Sequence, residues 1–271
     1  EVMKSMANEW DVASDTSSEK LINNRKRVRN HGEVFTPSHI VKRMLSLPSI
    51  KEACESLTTT FLEPGAGEGA FLVEVLKRKL RMVERNFGDT LERYENYSLL
   101  AVSTVYGIEL LEDNAKVCVM KLNRIFYDAY LKQLKKHNRK PKPSVMASAE
   151  LIIAKNIAQG DFLTKLGPGG KPIVINEWKP LNLERFPNSI VVQRTEYTLT
   201  EIEEGVSKEA GTLVNPYEPK GQMPLPFEEN DQDTQTSLRP YTAVRYLPCK
   251  ITSVHREELE QIDGQYDDQT V

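Results

Sequence analysis

Residues 58–80, TTTFLEPGAGEGAFLVEVLKRKL, constrain the fold more than any other stretch of this chain. A β-branched and apolar run ending at Leu62 predicts a buried strand. Gly65, Gly67 and Gly69 follow at alternate positions and predict a tight loop. Ala70–Leu80 then repeats apolar residues with helical period, turning Phe71, Val75 and Leu76 inward. Strand, glycine loop and helix in this order open an α/β nucleotide-binding unit, whose ligands sit at the carboxyl ends of parallel strands. The loop matches neither phosphate-binding fingerprint, GxGxxG or GxxxxGK[ST], and no Lys-Ser/Thr pair follows the glycines. An acid, Glu63, stands directly before it. A carboxylate there repels a pyrophosphate and suits a ligand carrying positive charge. An amino-acid moiety fits, with its ammonium facing Glu63 and its carboxylate meeting the helix N-terminus.

The same alternation continues downstream. A helix is expected over 91–102 and a second strand over 104–110, TVYGIEL, which carries Glu109 where such folds hold ribose hydroxyls. A long helix follows, with an apolar stripe through Ala115, Val119, Leu122 and Phe126. Lys132–Pro143 holds six Lys/Arg, two Pro and no acid, which predicts a solvated loop. A third strand in 155–163, KNIAQGDFL, ends near Asp161, an acceptor for an exocyclic amine, and Phe162, a ring for stacking. A fourth is expected in 171–178, KPIVINEW, after a turn. Residues 189–199 have β character, 201–240 are polar and proline-broken, and 241–254 suit one or two strands. Adenine, ribose and amino acid together describe S-adenosyl-L-methionine.

Composition narrows the classes. A formal net charge of −3 over 271 residues hides an asymmetry, because residues 201–271 hold 15 acids and 6 bases whereas 1–200 carry a net of +6. A basic first part can meet a polyanion while an acidic tail stays away from it. Cys54, Cys118 and Cys249 form no CxxC pair, and His31, His39, His137 and His255 show no ligand spacing, so no disulfide scaffold and no metal are expected. Cys54 and Cys118 sit in apolar contexts and read as packing residues. No apolar run spans a bilayer and the opening EVMKSMANEW has no signal-peptide core, so a cytoplasmic protein is expected. Lys20–Arg29 and Lys132–Lys142 are candidate phosphate contacts.

HGEVFTP at 31–37, FLEPGAGEGAFL at 61–72, YGIELLEDN at 106–114 and NIAQGDFL at 156–163 resemble, in this order, motifs X, I, II and III of the gamma-class N6-adenine DNA methyltransferases found in type I and related restriction-modification systems. The resemblance spans about half the chain, from Gly32 to Leu163. It implies a Rossmann-like S-adenosylmethionine-dependent methyltransferase fold, an α/β architecture with a central, mostly parallel sheet flanked by helices. It also implies roles. Phe35, Thr36 and Pro37 would contact the methionine part of the cofactor; Glu63, Pro64, Gly65, Ala66 and Gly67 would form the loop beneath it. Ile108 and Glu109 would flank the adenine and hold the ribose, and Asp161 and Phe162 would meet the adenine amine and ring.

The family's catalytic Asn-Pro-Pro-Tyr/Phe is absent after the fourth strand, where Asn176, Glu177, Trp178 and Lys179 stand instead. Asn176 can accept a hydrogen bond from a flipped adenine and Trp178 can stack on it, which makes them the first catalytic candidates. Asn215-Pro216-Tyr217 is a second candidate, displaced into the proline-rich stretch. About 90 residues follow the fourth strand, fewer than the three further strands and target-recognition domain that the family carries. The expectation is therefore a polar and basic arm at 1–30, a cofactor-binding domain at 31–200, and an acidic, strand-containing region at 201–271 packed on it. Double-stranded DNA and a second chain supplying the catalytic loop and target recognition are the expected partners. A catalytically inactive, methyltransferase-like structural or regulatory subunit is the alternative.

Overall fold

The computed structural model describes residues 36–183, 188–214 and 243–262. In chain order these residues form α1 (Ser38–Met44), α2 (Pro48–Cys54), β1 (Phe61–Glu63), α3 (Ala70–Phe87), α4 (Leu91–Val102), β2 (Val105–Glu109), α5 (Glu112–His137), α6 (Pro143–Asn156) and β3 (Ile157–Gln159). They continue with β4 (Val174–Pro180), β5 (Val191–Thr198), α7 (Leu199–Glu203), β6 (Ala243–Tyr246), β7 (Cys249–Lys250), a 3-10 turn at Ile251–Arg256, and β8 (Leu259–Ile262).

The chain is an α/β protein built on a three-stranded parallel sheet, β1-β2-β3, with helices packed against it. Each parallel neighbour needs a long crossover, and here each crossover contains two helices. α3 buries Leu72, Val75, Leu76, Leu80, Met82 and Val83, a stripe at helical spacing. α4 begins where Thr90 accepts the Arg93 amide and is buried over ten of its twelve residues. α5 is more than twice as long as the mean globular helix and buries Ala115, Cys118, Leu122, Phe126 and Tyr130.

Four expectations need correction. β1 is shorter than the apolar run suggests and forms one edge of the sheet, so Leu62 is 46% exposed instead of buried. Most of Lys132–Pro143 is not loop: α5 runs through His137, Asn138 closes it at φ 51°, and α6 starts at Pro143. Three of its cations have partners far away in sequence. Lys132 pairs with Glu84, Lys136 donates to the Gly88 carbonyl at 2.6 Å, and Lys142 donates to the buried Glu95 at 2.6 Å. Residues 155–156 end α6, so β3 is only Ile157–Gln159, and Asp161 lies in the turn beyond it.

The fourth correction matters most. β4 does not extend the parallel sheet; it pairs antiparallel with β5 over seven positions, and β5 pairs with β7. Seven paired positions give this hairpin a fuller ladder than the three-residue edge of β1 can offer. Residues 249–256 return onto the body of the protein, where Ile251 and Val254 are buried and the 3-10 turn packs on α4 and α6. β6 and β8 form a separate two-stranded sheet, the latter in a stretch expected to be only polar. The arm at 1–30, Phe35 and Asn215-Pro216-Tyr217 lie outside the described residues. No helix among the described residues is long and apolar enough to cross a membrane.

Candidate functional site

The carboxyl ends of β1 and β2 and the turn after β3 present Glu63, Glu109 and Asp161, one acid per strand. Register explains why: Glu63 lies opposite Gly107, Glu109 opposite Gln159, and the Gly160 amide donates to the Glu109 carbonyl at 2.9 Å. The glycine loop turns between β1 and α3. Its Ala66 amide is tied to the Ile108 carbonyl at 3.0 Å and its Gly69 amide to the Ala66 carbonyl at 2.8 Å. Gly69 has φ 79°, and a Cβ there would stand 2.5 Å from the Cys118 sulfur, so no other residue fits. Gly67 also has positive φ, 52°, but a Cβ on it would meet open space.

Glu109 is 7% exposed and its carboxylate is already engaged. Oε2 accepts the Gly67 amide at 2.7 Å; Oε1 accepts the Leu111 amide at 3.0 Å and the Asn114 side-chain amide at 3.4 Å. Glu63 is in the opposite condition. Its Oε2 is buried without a hydrogen-bond partner. Burial, reinforced by the nearby Glu109 charge, pushes its carboxyl up to about 7, although the Leu72 amide favours the ionised form. A carboxylate so placed gains from any cation brought alongside it.

The local chemistry disfavours phosphate. The amides of Ala66, Gly67 and Gly69 are committed within the chain, and the Leu72 amide in the first turn of α3 faces Glu63. Two carboxylates thus stand where a phosphate-binding loop presents bare N–H groups. Cys118, beneath Gly69, is a fully buried thiol pushed up to about 12 by burial and is a packing group.

The other expected site residues divide. Gly65 and Pro64 are exposed in the loop, and Ala66 is buried under it. Asp161 folds into its own turn, with Oδ1 accepting the Leu163 amide at 2.9 Å, and Phe162 is partly buried against the core. Thr36 is exposed and Pro37 starts α1, which is fastened to α3 by Arg78 through the Leu45 carbonyl at 2.6 Å. Ile108 is fully buried in the core and does not flank an open site; this corrects its assignment. The residue on the other side of Glu109, Leu110, is 50% exposed and is the one that sequence reasoning missed. Its signal was an apolar side chain just past a strand end.

Asn176 and Trp178 are also corrected. Both lie at the amino end of the parallel sheet, across from the glycine loop. The Trp178 indole donates to Asn156 Oδ1 at 2.9 Å, and the Asn156 amide donates to the Ser103 and Val105 carbonyls, where β2 begins. Asn176 donates to the Lys155 carbonyl at 3.2 Å and accepts from Arg194 Nε at 2.7 Å. Arg194 in turn lies over the rings of Trp178 and Tyr246 and reaches Glu196 and Glu257. Both candidate catalytic side chains are buried and spent on packing. No protein-family model matches the chain, and no curated protein or solved structure matches it.

Proposed function

We propose that the chain is the cofactor-binding subunit of an adenine-N6 DNA methyltransferase, with S-adenosyl-L-methionine received at the carboxyl ends of β1–β3. The observation that carries this reading is the pair Glu63 and Glu109 on adjacent strand ends around a loop whose amides are unsuited to phosphate. A sulfonium and an ammonium answer the unpartnered Glu63 oxygen. Glu109 stands at the strand end where ribose is held, and the exposed Leu110 offers an apolar surface to adenine. The cofactor supplies an electrophilic methyl group, which would pass to adenine N6 as the sulfonium becomes a thioether and N6 loses a proton.

Asn176 and Trp178 are not offered as acceptor residues, since they are buried at the other end of the sheet. In this reading a second chain presents the catalytic Asn-Pro-Pro-Tyr loop and reads the target in double-stranded DNA. Lys135, Arg139 and Lys140, exposed around the end of α5, are the cations of the 132–142 stretch best placed for phosphates. The same burial of Asn176 and Trp178 also favours a second reading, a methyltransferase-like structural or regulatory subunit that transfers nothing.

Labelled cofactor with duplex DNA tests the first reading. Cofactor should bind the chain alone, and transfer should require a partner chain carrying the missing motif. Absence of cofactor binding would defeat the subunit reading, and transfer that never appears even with that partner would favour the structural one.

A further inference from the structure

We infer that the outer face of α5 is a self-association surface, which pairs antiparallel with α5 of a second copy of this chain. The inference does not rest on the cofactor site proposed above. α5 buries Ala115, Cys118, Leu122 and Phe126 against the rest of the protein. On its outer side Met120 is 69% exposed and Tyr127 is 40% exposed. About two helical turns separate these two, so both lie on one face roughly 10 Å apart.

Single exposed apolar residues are ordinary on a protein surface; here the charges around them select an occupant. The first turn of α5 is acidic, with Glu112 and Asp113, and its last turn is basic, with Lys135 and Lys136. Two such helices side by side in parallel would set like charge against like. An antiparallel pair about a two-fold axis sets acid against base at both ends, because residue i meets j and j meets i. The register that places Met120 opposite Tyr127 of the second copy also places Glu112 opposite its Lys135. The axis then passes between residues 123 and 124, within one residue of the middle of the helix. One register thus covers both apolar side chains and joins both charged ends. Arg124 meets its own copy near the axis, but Asp128 already holds it at 2.9 Å and offsets the like charge. Arg139 and Lys140 lie past the helix end and stay outside the pairing. A single helix face buries less than the roughly 1,200–2,000 Å² of a stable interface, so a reversible dimer with a Kd on the order of 10 µM is expected. The surface ion pairs add little affinity and mainly fix the direction of pairing.

Sedimentation of the full chain from about 1 to 200 µM tests the surface. A concentration-dependent monomer–dimer equilibrium is expected. Met120→Lys, at an exposed position, should leave the melting temperature unchanged and weaken association at least about tenfold. A monomer at every concentration, or a dimer that Met120→Lys leaves intact, would overturn the second copy as the occupant of this face. Charge exchange then tests the register. Glu112→Lys should weaken the dimer about fivefold, and adding Lys135→Glu to the same chain should restore it. Both changes oppose the helix dipole, so damage to the helix itself would make the double variant worse, not better. A double variant that associates no more tightly than Glu112→Lys alone would contradict the antiparallel pairing and the inference with it.

Discussion

The two ends of the parallel sheet are finished to different standards. At the amino end, Asn156, Asn176, Trp178 and Arg194 are buried and their side chains are engaged by one another or by main-chain carbonyls. At the carboxyl end, Glu63 keeps an unpartnered buried oxygen beside a second carboxylate, and Leu62 and Leu110 are about half exposed; Leu163, in the turn past β3, is exposed as well. Buried polar groups are costly unless paired, so the first end is arranged for stability. The second retains groups that a ligand would satisfy. The contrast fits the proposed division, with holding at one end and ligand binding at the other.

Arg194→Ala should break that contrast most severely. It removes donors from Asn176, Glu196 and Glu257 and empties the space between Trp178 and Tyr246. A loss of about 3–5 kcal/mol in denaturant unfolding is expected. Trp178→Phe should cost less, about 1–3 kcal/mol, because it strands the Asn156 oxygen while keeping most of the ring volume. Neither substitution should alter nucleoside affinity in the protein that remains folded.

Glu63→Gln probes the other end by pH. The Glu63 carboxyl titrates at about 7 in the fold, above the ordinary carboxylate range. Its proton therefore favours the folded state, and this contribution is complete at low pH and lost as pH rises through 7. Glu63→Gln should raise the melting temperature by several degrees at pH 8 and change it little at pH 4.5. Equal shifts at both values would remove the account of Glu63. The smallest effect belongs to Leu110→Ser: a stability change within about 0.5 kcal/mol, with nucleoside affinity falling about fivefold by calorimetry.

The sequence carried the site's strand ends more clearly than it carried the sheet. Glycines at alternate positions, a helical stripe behind them and an acid before them are local signals, and they specify β1, its loop and α3. Glu109 was legible as a strand-end acid. That its carboxylate is closed on Gly67, 42 residues away, was not. KPIVINEW reads as a strand in either sheet; the partner that decides, β5, lies downstream and adds a long antiparallel ladder. The lysines of 132–142 read as solvated because Glu84, Gly88 and Glu95, which hold three of them, lie more than forty residues earlier. The apolar run in α6 has a weak amphipathic pattern because it packs on both the parallel sheet and β4.

Titration of the full chain with S-adenosylhomocysteine in a calorimeter tests the central claim most directly. The account predicts one saturable site, abolished by Glu109→Ala and retained by Trp178→Phe. Absence of heat at millimolar ligand, or loss of binding in Trp178→Phe with Glu109→Ala unaffected, would contradict it.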